Sequence, residues 1–225
     1  CLDKINLSSA IKYSYYKDNN VKRRTYYNFY GKHAKHINQY NLFYKYDDLG
    51  NTNVVVVLNE ENEKVEDQSG VSIYKYWFDL RDNTIQTKRY NRKINPILGT
   101  DDFFKSVTDY DNQNRISFEG KYYFLNKLKF NDDDKWGATK YEYLGDSIGF
   151  RYNLDVYNDN FNDDTGIATV KRFFNKKGFT EKIQYLDDKG NFAKTGDSIV
   201  QYDYEYDISG NNIEETTLDS LGKKI

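Results

Sequence analysis

Histidine and clustered carboxylates are the first candidates for chemistry in this chain. His33 and His36, the only histidines, stand three apart in Lys32-His33-Ala34-Lys35-His36. A metal would need at least a third ligand and outer partners to orient the rings. The neighbouring sequence offers none, so the pair reads as exposed side chains. Asp132-Asp133-Asp134 and the run from Asn158 to Asp164 could gather oxygens for calcium, the second with a trailing Gly166. Neither has the alternating acid order and distal bidentate Glu of an EF-hand. With 35 acidic residues, no carboxylate pair is marked out as acid and base. There is no Ser elbow, reactive Cys, His-centred triad or phosphate loop. The expectation is therefore a non-enzymatic protein with no cofactor and no metal.

Cys1 carries a different kind of chemistry. It is the first residue and the only cysteine, and the chain has no methionine. Such a start resembles a mature bacterial lipoprotein, whose N-terminal Cys carries several acyl chains that together hold a membrane durably. Residues 1–9 then read as a tether. No apolar run approaches the ~20 residues of a membrane-spanning helix, so the anchor would be lipid alone.

The elements that must position everything else are set by a register. A residue suited to a tight turn returns every 32 positions: Asp18, Gly50, Asp82, Asn114, Asp146, Gly178, Gly210. All belong to the set that tolerates positive φ or opens turns. Two further columns keep the period, Asn38, Gly70, Asp102, Asp134, Gly166, Ser198 and Asn62, Ile94, Asn126, Asn158, Gly190, Gly222. Between turns, even positions are large and apolar, as in Leu42, Tyr44, Tyr46 or Tyr202, Tyr204, Tyr206, while odd ones such as Lys45, Lys75 and Glu205 are charged. This period of two marks half-buried strands. Each repeat is a β-hairpin plus a connector bearing one apolar residue, such as Val65, Ile97, Phe161, Ala193 or Ile225. A period of this size marks a repeat array.

The fold class is all-β: an elongated antiparallel β-hairpin repeat array of 6–7 copies of about 32 residues, in a single twisted or coiled sheet. The repeat domain runs over 10–225, with a degenerate first copy at 10–37, since terminal repeats are commonly atypical. The run Val54 to Leu58 calls for cover on both faces. A phase slip in 135–166, where Tyr141 and Tyr143 are odd, predicts a bulge there.

Mean hydropathy is −0.93 with 30% charged residues, a composition that by itself favours disorder. The 23 Tyr and 14 Phe answer this, because amphipathic rings bury area while their hydroxyls reach water. Net charge −2 and a pI of 5.8 argue against a nucleic-acid partner. An in-phase ring is expected to be core, so rings out of phase are the candidates for binding: Phe43, Trp77, Tyr141 and Phe173. Presented outward, they suit a protein interface or stacking on sugar rings.

Segments such as YKYDDLGNTNVVVVLNEENEKV and the stretch from Phe173 to Ile225 resemble the bacterial tyrosine-aspartate repeat class, akin to RHS/YD and MORN-type hairpin repeats. The matching positions are Tyr46-Asp47, Gly50-Asn51, Tyr206-Asp207 and Gly210-Asn211. The resemblance implies exported, non-catalytic β-repeat proteins and fixes no ligand. Together with Cys1 it gives the functional expectation of a lipid-anchored lipoprotein at the outer membrane, surface-exposed, binding or scaffolding an outer-membrane or surface protein. A polysaccharide is the alternative partner.

Overall fold

The computed structural model describes residues 10–28, 30–33, 41–129 and 137–225. Fourteen antiparallel strands form one open sheet in which each strand pairs with its neighbours in sequence. The hairpins are β1 (Ala10–Tyr15) with β2 (Val21–Tyr27), β3 (Asn41–Tyr46) with β4 (Thr52–Leu58), β5 (Ile73–Phe78) with β6 (Thr84–Tyr90), and β7 (Lys105–Tyr110) with β8 (Ile116–Tyr122). They continue as β9 (Ala138–Leu144) with β10 (Ile148–Leu154), β11 (Thr169–Phe174) with β12 (Thr180–Leu186), and β13 (Gln201–Tyr206) with β14 (Asn212–Leu218). The chain divides into two compact units, Cys1–Val107 with Lys121–Asn126, and Thr108–Gly120 with Lys127–Ile225.

One local device makes the hairpin turns. At Asp47 the side-chain Oδ1 accepts the N–H groups of Leu49 (3.0 Å) and Asn51 (2.8 Å). The Asp47 carbonyl accepts the Gly50 N–H, and the Asp47 N–H donates to the Asn51 carbonyl. An Asp or Asn side chain thus stands in for backbone and satisfies donors that a five-residue turn would otherwise leave open. The same bonds recur at Asp79, Asp111 and Asn175 in the hairpins. They recur at Asp155, Asp187 and Asp219 after the second strands, and at Asp67 and Asp163 before the next hairpin.

The residue three after the opener is left-handed. At Gly50, φ is +90° and a Cβ would meet nothing within 4 Å, so conformation rather than space requires the glycine. Asp82, Asn114, Gly178 and Gly210 also have positive φ, as do every described member of the other two columns, including Ile94 and Ser198. Asn38 and Asp134 lie outside the described residues.

Two members of the first column need correction. Asp18 and Asp146 sit within their turns, but the left-handed residues are Asn19 (φ 67°) and Gly145 (φ 62°). In the first repeat the whole pattern runs one residue late, with Asn19 and Gly31 both left-handed and Tyr16 in the opening position. In the fifth hairpin, Leu144 pairs with Ile148 across the three-residue loop Gly145-Asp146-Ser147.

The predicted bulge is also displaced. Five other hairpins shift register just before the turn: Trp77 pairs with Gln86 and Phe78 with Thr84, leaving Ile85 as the extra residue. The shift recurs at Tyr15, Tyr46, Phe174 and Tyr206. The β9–β10 ladder runs without one. The bulge belongs to the five-residue turn, and the shorter loop removes the need for it.

Burial concentrates where strands meet connectors. Val71, Ser72, Ala168, Val57 and Val200 are at most 2% exposed. The connector N–H groups of Val65, Ile97, Phe161, Ala193 and Ile225 donate to carbonyls at the ends of the second strands. Val56, Val57 and Leu58 are buried on both faces of β4, while Val54 and Val55 are only half-buried. The ladder tyrosines Tyr44, Tyr74, Tyr76, Tyr202 and Tyr204 are half-buried too. Tyr26, 1% exposed, is the deep core expected of in-phase rings, but the ladder tyrosines in mid-strand are not, since a single sheet has no second layer to cover its middle.

Replacing buried Ile73 by Ala is expected to cost about 2–5 kcal/mol in urea unfolding. Ile94→Asn, which relieves a β-branched residue at positive φ, should stabilise by about 1 kcal/mol, and a loss would contradict the turn geometry. Asp79 is held at about 2 by the Asn83 side chain and backbone donors. Asp111, Asp187, Asp207 and Asp219 are lowered by equivalent bonds. Their contribution is complete above about pH 4, the unfolded carboxyl value, and is lost as pH falls toward 2. An acid titration followed by circular dichroism should place the destabilisation in that window.

Candidate functional site

Pairing across strands decides which side chains share a face. In the first unit one row runs Lys45, Val54, Lys75, Lys88, Lys105, each residue directly opposite the next on β3 to β7. On one side lies the row Ser14, Arg23, Phe43, Val56, Ile73, Tyr90. On the other lies Trp77, Gln86, Val107. With Lys12 opposite Thr25, the face carries Lys12, Arg23, Lys45, Lys75, Lys88 and Lys105; the one acid on strands β1 to β7 is Asp109, exposed on the same side of β7 two residues beyond Val107.

The ammonium groups rest on rings. Lys75 Nζ lies 5.0 Å from the Tyr90 ring centre, Lys88 Nζ 5.0 Å from Trp77, and Lys105 Nζ 4.1 Å from Tyr122. Lys105 also donates to Asn126 Oδ1 at 2.7 Å. Burial and the neighbouring Lys88 charge lower its pKa. Trp77 is 38% exposed.

The opposite face of the first unit pairs guanidinium with tyrosine. Arg24 lies 5.9 Å from the Tyr13 ring centre and 5.0 Å from Tyr26, and Tyr74 stacks on Tyr76 at 6.5 Å. Arg89 binds Asp101 at 2.9 Å and covers Phe103. On this face Ile11, Tyr13 and Tyr15 are 41, 42 and 57% exposed, and all of β1 is exposed. Tyrosine hydroxyls also tie repeats together: Tyr46 donates to the Val21 carbonyl and Tyr206 to that of Thr180.

In the second unit the face bearing Phe173 mixes signs. Lys140, Lys171 and Lys182 stand with Glu142, Asp203, Glu205 and Glu214. Lys140 pairs with Glu142, and Lys182 approaches Asp203 at 3.9 Å. At the hairpin-turn end of this unit, on the side away from Phe173, an open groove is lined by Phe174, Phe179 and Tyr206 with Lys177 and Asp207.

The four off-phase rings therefore separate. Phe43 packs on the Val56, Leu58, Ile73 cluster. Trp77 is open beside the lysine row. Phe173 lies under Lys171 (4.7 Å) and Lys182 (5.7 Å). Tyr141, opposite Arg151, turns to the other face from Phe173 and donates to Glu119 at 3.0 Å. The unbulged ladder around the shortened loop is what separates Tyr141 from its column.

Among the described residues no three His, Cys, Asp or Glu side chains converge as metal ligands. In the second acid-rich run the Asp163 carboxylate is occupied by turn N–H groups, as is that of Asp155 just before it. His33 packs against Tyr27; Cys1, His36 and Asp132 to Asp134 lie outside the described residues. The lysine row escaped the sequence reading because Lys45, Lys75 and Lys105 are 30 residues apart, not 32. The missing signal was the two-residue stagger of each hairpin against the next.

No family model matches the chain, and no curated protein matches it. Solved structures similar to it include the complex TcdB2-TccC3-Cdc42 (14% identity, TM-score 0.39, covering 92% of this chain and 11% of that one) and TcdB2-TccC3 (11% identity, TM-score 0.40, 94% and 12%). The chain thus spans about a tenth of those proteins' length.

Burial and acidic acceptors hold Tyr74, Tyr141 and Tyr152 at about 12; the acceptors are Asp67, Glu119 and Glu142. Because folding favours the neutral phenol, this stabilisation is intact below about pH 10 and fades as pH climbs toward 12. Ultraviolet titration of tyrosinate should show a late-titrating class, and Glu119→Gln should move one tyrosine of that class to lower pH.

Proposed function

We propose that this protein is a non-enzymatic, lipid-anchored binding array of the bacterial envelope that holds or scaffolds another surface protein. The observation that carries the reading is the uncovered stripe Ile11, Tyr13, Tyr15 on β1, with Tyr13 stacked on Tyr15 at 6.4 Å. Exposed rings rimmed by Arg and Lys suit the centre of a protein interface, where aromatic anchors lose water and carry most of the energy. The anchor rests on Cys1 alone.

The alternative, a glycan partner, is favoured by one feature, the open Trp77 ring with Lys88 beside it.

Mass spectrometry of the N-terminal peptide from the native host tests the anchor: acylated Cys1 is expected, and an unmodified mature Cys1 would remove the membrane from this reading. Stoichiometric capture of one membrane protein should fall by at least about tenfold in a Tyr13→Ser, Tyr15→Ser variant. Equal capture would discard the β1 stripe as the interface.

A further inference from the structure

The lysine row of the first unit is electrostatically unfinished. Directly opposed like charges in neighbouring strands destabilise a sheet, yet Lys75 faces Lys88 and Lys88 faces Lys105. Among the described residues none of Lys45, Lys75, Lys88 and Lys105 forms an ion pair. The corresponding face of the second unit neutralises itself with Glu142 and Asp203. A face that stores this repulsion gains most from an anion laid along it.

We propose that this face binds an extended anionic polysaccharide, its carboxylate or sulfate groups lying along Lys45, Lys75, Lys88 and Lys105 and one sugar ring stacking on Trp77. Strands sit about 4.8 Å apart, close to the length of one sugar ring in an extended chain. The three adjacent lysines on β5, β6 and β7 therefore meet charges on successive or alternate sugars. Lys45, two strands from Lys75 across Val54, extends the track. The apolar face of a sugar ring matches an exposed indole, while its hydroxyls remain in water.

Single-stranded nucleic acid fits less well. It stacks successive bases on successive rings, whereas Phe43 and Tyr90 are packed into the Val56, Leu58, Ile73 cluster and only Trp77 among the three is open. This inference is independent of the lipid anchor and of a protein partner on β1. It rests on the glycan alternative at Trp77 and deepens it by naming an anionic ligand along the lysine row, so its failure leaves the anchor and the β1 interface standing, and theirs leaves it standing.

The test uses the full chain and four probes at low salt: polygalacturonate, dextran sulfate, neutral dextran and a single-stranded DNA oligonucleotide. Polygalacturonate or dextran sulfate should bind, neutral dextran should not, and binding should weaken as salt screens the contacts. Lys75→Gln with Lys88→Gln should weaken binding about tenfold or more. The same variant should melt close to the wild-type temperature, because relief of the repulsion offsets the loss of the Lys75–Tyr90 and Lys88–Trp77 contacts. Trp77→Ala should weaken binding of both glycans while leaving the melting temperature close to wild type. No binding of either anionic glycan overturns the proposal. So does binding that Trp77→Ala leaves unchanged, or tighter binding of DNA than of either glycan. Self-association that the double lysine variant abolishes, with no glycan bound, would assign the face instead to the acidic Asp203, Glu205 and Glu214 surface of a second copy.

Discussion

A carboxylate or amide oxygen accepting two backbone N–H groups is the interaction on which this molecule depends. The oxygen of Asp47, Asp79 or Asp187 closes a five-residue turn without help from the rest of the fold. It satisfies donors that would otherwise face water or go unpaired. Because the device is local, it can be repeated at fixed intervals, and fixed intervals are what let one hairpin pair with the next. The bulge before most hairpin turns follows from the same five-residue geometry, as its absence from the shorter Gly145-Asp146-Ser147 loop demonstrates.

Hairpins joined edge to edge in one layer face a packing problem. The middle of each strand has no second layer above it, so side chains there must tolerate partial exposure. Tyrosine does so by burying its ring beside Arg or another Tyr and sending its hydroxyl to a carboxylate or a neighbouring repeat's carbonyl. Dehydrated packing is left to the connector ends, where Val57, Val71, Ser72, Ala168 and Val200 are nearly inaccessible. There the connector folds back on the strand ends, and small or branched residues fill the angle.

The same pairing sorts charge. In the first unit the register gathers cations on one face and tyrosines with arginines on the other. In the second it sets lysines opposite or beside acids. Neither pattern is a property of any single strand; Lys75 is unremarkable until Lys88 and Lys105 are placed directly across from it.

Much of the backbone was legible from the chain itself. Turn residues and alternating strands are local, since positive φ and a period of two depend on the residue and its immediate neighbours, and Gly50, Asp82, Gly178 and Ser198 stand where those rules put them. Asn19 and Gly145 did not, because a one-residue change of loop length is invisible when adjacent residues are all turn formers. What only the tertiary structure decided was which side chains meet. It turned Tyr141 away from Phe173, sank Phe43 into the cluster around Ile73, left Trp77 open and aligned lysines 30 residues apart into one row. The physical reason is stagger: each hairpin is displaced by two residues against the next, and that displacement is set by hydrogen bonds between repeats.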